Sequence, residues 1–152
     1  MNVYNARFSG TLEATALVAL FTLIAGATRS LLVTEYEAEG MGTSSAAQEF
    51  GIYRVGTAGT TGGGAVTPVP VNALATAFTG TAFASYATQP LKGALVKNVP
   101  VNANGQRVFW RANPNLNNAI VVPGGNNAAA SLALYTISGT GVVTGNLQFN
   151  EL

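Results

Sequence analysis

Ala14 to Ala27 reads ATALVALFTLIAGA, and after Thr28-Arg29-Ser30 the chain continues as LLVTEYEAE from Leu31 to Glu39. The first run admits four readings: a membrane anchor, the core of a signal peptide, a helix, or a buried strand. A spanning helix needs about 20 apolar residues. This run has 14, with Thr15 and Thr22 inside it. Ala25-Gly26-Ala27 mimics a signal-cleavage site, but the segment before the run carries a single Arg and ends in Glu13. Ala and Leu suit a helix. Val18, Phe21, Thr22 and Ile24 favour a strand buried on both faces, which reads as a continuous apolar run. The second run alternates, with Leu31, Val33, Glu35, Glu37 and Glu39 on one face and Leu32, Thr34, Tyr36 and Ala38 on the other. Period two marks a half-buried strand. Two strands joined by a short turn at Gly26 to Arg29 predict an all-β sandwich.

The rest of the chain repeats that pattern. Residues 1–13 (MNVYNARFSGTLE) form an N-terminal arm or a short edge strand, with Val3 and Phe8 as its apolar positions. Residues 14–152 form the domain proper. Strands are expected at Gln48 to Val55 (QEFGIYRV), Leu91 to Val101 (LKGALVKNVPV) and Gln106 to Ala112 (QRVFWRA), then at Ala119 to Val122, Ala128 to Ser138 and Val142 to Phe149. Gly56 to Ala65 is loop chemistry; it lacks the Lys-Ser/Thr ending and the following helix of a phosphate loop. Val66 to Val71 (VTPVPV) is extended, and its prolines keep it out of a sheet centre. Ala73 to Ala87 admits a short helix before a strand near Thr81. Asn104-Gly105 is the strongest hairpin signal in the chain. Phe109 and Trp110 are neighbours on one strand, so one faces the core and the other an interface. Together these predict a single-domain antiparallel β-sandwich or jelly roll of about eight strands.

Composition narrows the function. The chain has 152 residues, enough for one domain with a real core. Charged residues are only 9%, against roughly 25% in ordinary soluble domains. A small domain so poorly charged is weakly protected against association, so much of its surface is expected to be covered in an assembly. Cys, His and Asp are absent. That excludes disulfides, thiol catalysis and zinc-thiolate sites, and it removes the commonest general base. No catalytic residue, cofactor or metal site is read. Glu35, Glu37 and Glu39 form a row, but a metal needs oxygens converging from several segments. The basic residues Arg7, Arg29, Arg54, Lys92, Lys97, Arg107 and Arg111 are dispersed, unlike the stripe of a nucleic-acid binder.

The order of signals resembles a known group. An apolar strand (Leu17 to Ile24), a small-residue turn and Arg29 lead into LLVTEYE. VTPVPV, QRVFWRA, IVVPGG (Ile120 to Gly125) and a closing hairpin follow. This resembles the small jelly-roll decoration or cement proteins of tailed bacteriophage capsids, many of which form trimers like the tumour-necrosis-factor type. The likeness covers most of residues 14–150. It implies a non-enzymatic virion protein, made in the host cytoplasm. Such a protein sits on the capsid surface as a homo-oligomer, expected to be a trimer, and braces the head through contact with the major capsid protein. No membrane, nucleic acid or small-molecule substrate is implied. Val3, Tyr4, Arg7, Phe8, Phe109, Trp110 and Arg111 are the expected interface residues. Three other functions fit less of the sequence. One is a different virion component, such as a capsid subunit, a head fibre or a tail protein. Another is a carbohydrate-binding module using Trp110, Tyr53, Tyr86 and Tyr135. The last is a glycosidase using Glu35 and Glu37, about 7 Å apart on one strand face.

Overall fold

The computed structural model describes residues 2–12, 19–43, 45–57, 59–61, 64–84, 86–127 and 130–152. Expectations for residues 14–18, for 58, 62 and 63 of the glycine loop and for 128–129 lie outside these. Both opening runs are strands: β2 (Ala19–Ile24) and β3 (Leu31–Met41). Six more long strands are β1 (Asn2–Leu12), β4 (Ala47–Thr57), β10 (Leu91–Asn102), β11 (Asn104–Arg111), β13 (Leu132–Ser138) and β14 (Gly141–Glu151). Six short ones are β5 (Thr60–Thr61), β6 (Ala65–Val66), β7 (Val69–Pro70), β8 (Thr81–Phe83), β9 (Tyr86–Thr88) and β12 (Ile120–Val122). The described residues contain no α-helix, and the stretch at 73–80 that admits one is turn and irregular chain. No helix among them is long and apolar enough to cross a membrane.

The eight long strands pair as one folded hairpin. β1 pairs β14, β2 pairs β13, β3 pairs β11, and β4 pairs β10, all antiparallel. That hairpin is rolled into two sheets, ordered β11-β3-β14-β1-β7 (with β12 also on β3) and β10-β4-β13-β2-β8-β6. This is the jelly-roll arrangement, and it corrects two expectations. Asn104-Gly105 closes no hairpin, because β10 and β11 lie in different sheets. Gly105 does adopt φ 70°, but it turns a corner from one sheet to the other. Ala103 beside it is tied to the β3–β4 connection, donating to Ala46 O and accepting from Gly42 N. The final turn likewise carries the chain from β13 in the second sheet to β14 in the first. Positive φ at a glycine suits either kind of turn, so local sequence does not separate them.

The arm at residues 1–13 is a third correction. β1 pairs β14 along its whole length, from Asn2 opposite Glu151 to Leu12 opposite Gly141. Its inward set is Tyr4, Ala6, Phe8 and Leu12, all buried. Val3 and Phe8 have opposite parity and share no face. The alternation in β3 is corrected too. β14 places Gln148 opposite Glu35 but Phe149 opposite Val33, so Thr34 is an extra, bulged residue. A bulge shifts the faces by one. Leu31 and Val33 therefore face inward together with Tyr36 and Ala38, while the three glutamates face outward.

The core lies between the sheets. Phe8 from the first sheet meets Phe21 and Phe50 of the second, with ring centroids 6.1 and 6.0 Å apart. A smaller cluster covers the outer side of the second sheet, where Ala19, Val55, Ala133 and Tyr135 lie under Tyr53 and Tyr86. β2 is therefore buried on both faces within its own domain, which accounts for its unbroken apolar run.

Candidate functional site

The outer face of the first sheet carries most of the exposed chemistry. Because of the Thr34 bulge, Glu35, Glu37 and Glu39 project from it in a row. β11 sets Arg111 opposite Glu35, Phe109 opposite Glu37 and Arg107 opposite Glu39. Nε of Arg111 donates to Glu35 Oε2 at 2.8 Å, and its Nη2 lies 2.8 Å from the same oxygen. Arg107 reaches Glu37 at 3.1 Å and Glu39 at 3.9 Å. Each exposed pair is worth about 0–1 kcal/mol, so the ladder orders side chains more than it stabilises the fold. Its chemical effect is to engage all three carboxylates with guanidinium groups. Among the described residues no cluster of acidic side chains could hold a metal ion.

Phe109 stands between the two arginines, 51% exposed, with the Arg111 guanidinium 5.3 Å from its ring centroid. Toward β1 the face carries amides and one further cation, Arg7. Asn146 and Gln148 both donate to Asn5 Oδ1 at 3.4 Å. A shallow cleft of about 730 Å³ runs along this side, lined by Asn5, Arg7, Glu37, Glu39, Val69 and Arg107 among others.

The seven expected interface residues divide. Val3, Arg7, Phe109 and Arg111 fall on this one outer face. Trp110 points the other way, stacked on Tyr36 at 5.4 Å and 19° between planes. Tyr4 and Phe8 are withdrawn altogether. Tyr4 lies against Phe149 and Phe78, at 5.7 and 5.5 Å, and Phe8 joins the two sheets. Their parity in β1 sends them inward, so neither lines a surface.

The aromatic candidates for sugar binding are also committed elsewhere. Tyr135 donates to Pro90 O at 2.5 Å, and Tyr86 donates to Phe83 O at 3.3 Å. Lys92 lies over the Tyr53 and Tyr135 rings and donates to Thr136 O at 2.9 Å. Burial pushes the Tyr86 phenol up to about 12. It also raises Tyr135, with the nearby Tyr86 adding to the effect, and it lowers Lys92. This cluster is a closed lid on the second sheet, not a platform.

One polar centre is absent from the sequence-based expectations. The Glu151 side chain is fully buried. It accepts from Thr79 N at 3.1 Å and from the Thr79 hydroxyl, and it lies 3.4 Å from Arg29 Nη1 and 3.5 Å from the Tyr4 hydroxyl. A signal for it does exist: Leu147, Phe149 and Glu151 share the inward parity of β14.

No protein-family model matches the chain, and no curated protein matches it. Among solved structures the chain is similar to the infectious bursal disease virus VP2 subviral particle, at 21% identity and a TM-score of 0.20. The match covers 99% of this chain and 41% of that one, so this chain spans less than half its length. A likeness of that size carries no functional information.

Proposed function

We propose that this chain is a structural virion protein that binds the outer surface of a phage capsid as a homo-oligomer, a trimer, and stabilises the head. The observation that carries the reading is a mismatch at the surface. Among the described residues eleven large apolar side chains stand exposed, including Leu74 at 92%, Leu91, Leu95, Phe109 and Val121. The whole sequence offers only seven basic and six acidic residues to keep such a surface in water. Exposed apolar area with sparse charge marks a surface that is covered in the working state. Repetition of the chain on a lattice lets each contact be weak, since avidity multiplies it.

Light scattering on the purified protein tests the oligomer, with an expected mass three times the 15.5 kDa chain. Sedimentation with capsids that lack the protein tests the partner, and saturable binding is expected. A well-behaved monomer with no capsid affinity overturns the proposal. Incorporation only into a tail or fibre assigns the chain to another virion component.

A further inference from the structure

A second cleft lies at the open edge of the sandwich, away from the glutamate row. Phe50, Ile52 and Arg54 share the inward face of β4. Phe50 and Ile52 belong to the core. Arg54 continues that face to the rim, where one terminal nitrogen, Nη1, is buried and has no hydrogen-bond partner among the described residues. Burial lowers its pKa from the ordinary value. Buried polar groups nearly always have partners, so an orphaned guanidinium N–H asks for one.

A second cation is steered to the same place. β10 sets Leu95 opposite Tyr53 but Lys97 opposite Ile52. Val96 is thus bulged, and the bulge turns Lys97 from the outer face to the inner one. Its ammonium then sits 5.8 Å from the Trp110 ring centroid. Arg54, Lys97 and Trp110 line a cleft of about 360 Å³ whose remaining wall is mainly Val96, Ile120 and Val121. Among the described residues no carboxylate lines it.

We propose that this cleft binds a carboxylate carried on an apolar body. The guanidinium fork matches a planar carboxylate in geometry and charge. Lys97 supplies the second positive charge, and the Val96, Ile120 and Val121 wall takes the attached aliphatic or aromatic part. Inorganic phosphate has no apolar part and leaves that wall unused. Two sources present the same chemistry: a free carboxylic acid, or an acidic side chain beside an apolar one on a partner protein. The inference is independent of the capsid reading, since the cleft is built entirely from this chain.

Trp110 is the single tryptophan, so its fluorescence and its indole N–H resonance report on this cleft alone. The probes are 4-methylpentanoate, its neutral counterpart 4-methylpentanamide, inorganic phosphate, and the blocked tripeptide acetyl-Leu-Glu-Leu-amide. A saturable Trp110 response is expected from at least one of the two carboxylates, with the tighter one naming the source, and none from the amide. Arg54→Gln is expected to weaken binding about tenfold or more and Lys97→Gln about threefold, because each removes a charged partner of the bound carboxylate. Thermal melts of both variants establish that they fold. Should Arg54→Gln not fold, Lys97→Gln and the carboxylate–amide pair still decide. The proposal is overturned by no saturable response to either carboxylate, by an equal response to the amide, by unchanged affinity in a folded Arg54→Gln, or by phosphate binding more tightly than both.

Discussion

Glu151 joins three separate parts of the chain, and its replacement by Gln gives the sharpest test of the fold reading. The substitution Glu151→Gln keeps shape and volume. The oxygen of the new side-chain amide still accepts from Thr79 N, which lies 3.1 Å from Oε1 of the native glutamate. The amide nitrogen replaces the oxygen that meets Arg29 Nη1 at 3.4 Å, setting donor against donor. The Tyr4 hydroxyl tolerates the change, because it already donates to Thr76 O at 2.7 Å and can accept. The loss is therefore one charge-assisted hydrogen bond, about 1.5–3 kcal/mol in a buried setting. The Arg29 side chain is 42% exposed and regains water, which brings the expected cost to about 1–2 kcal/mol. Glu151→Ala removes every one of these interactions and leaves the Thr79 donors unmet, for about 3–4 kcal/mol. Urea denaturation reads these values as shifts in midpoint at constant slope. A double-mutant cycle with Arg29→Ala isolates the pair, with an expected coupling of about 1 kcal/mol or more. Glu151→Gln within about 0.5 kcal/mol of wild type, or a coupling near zero, refutes this role for Glu151.

Phe8→Ala removes the ring that joins the two sheets and is expected to cost about 3–5 kcal/mol, read by the same denaturation. Phe109→Ser, on the exposed face, should leave the monomer's stability within about 0.5 kcal/mol and shift sedimentation toward smaller species. Alkaline titration should expose the tyrosine lid. The folded Tyr86 pKa is raised from 10.0 to about 12, so burial of the neutral phenol stabilises the fold fully below pH 10. That contribution is lost as pH rises from 10 toward 12, and Tyr135, raised likewise, adds to the loss. Lys92 acts in the opposite sense just below its ordinary 10.5. Stability against pH should therefore fall more steeply above pH 10 in the native chain than in Tyr86→Phe.

The sequence discloses what depends on parity and hides what depends on register. The apolar run of β2 and the Glu row of β3 are legible, because a side chain's face follows from counting by two. The count fails at a bulge, and three decisive residues sit at bulges. Thr34 moves Leu31 and Val33 to the inward face, Leu20 shifts β2 against β13 between Phe21 and Ala19, and Val96 turns Lys97 inward. Nothing local in VTE or LVK announces an extra residue. The corners mislead for a related reason. Asn104-Gly105 specifies a reversal, but which sheet receives the returning strand is set by β3 and β4, far earlier in the chain. Glu151 and Arg29 are separated by 122 positions, and no pattern along the chain joins them.

The distribution of charge bears on how such a chain assembles. Four of its seven basic residues lie on β10 and β11: Lys92, Lys97, Arg107 and Arg111. These are the edge strands on the open side of the two sheets, each hydrogen-bonded to one long neighbour. β10 also holds Pro100 opposite Glu49 and two bulged stretches. On the opposite side the first sheet ends in β7, two residues long and containing Pro70, and the second ends in the two-residue β6. Edge strands otherwise recruit further strands without limit, and charge, proline, bulges and shortness are the devices that prevent it. A chain with so few charges that places most of its cations on its long edges is protected against open-ended strand addition. Charge, proline, bulges and shortness therefore all oppose growth through these edges.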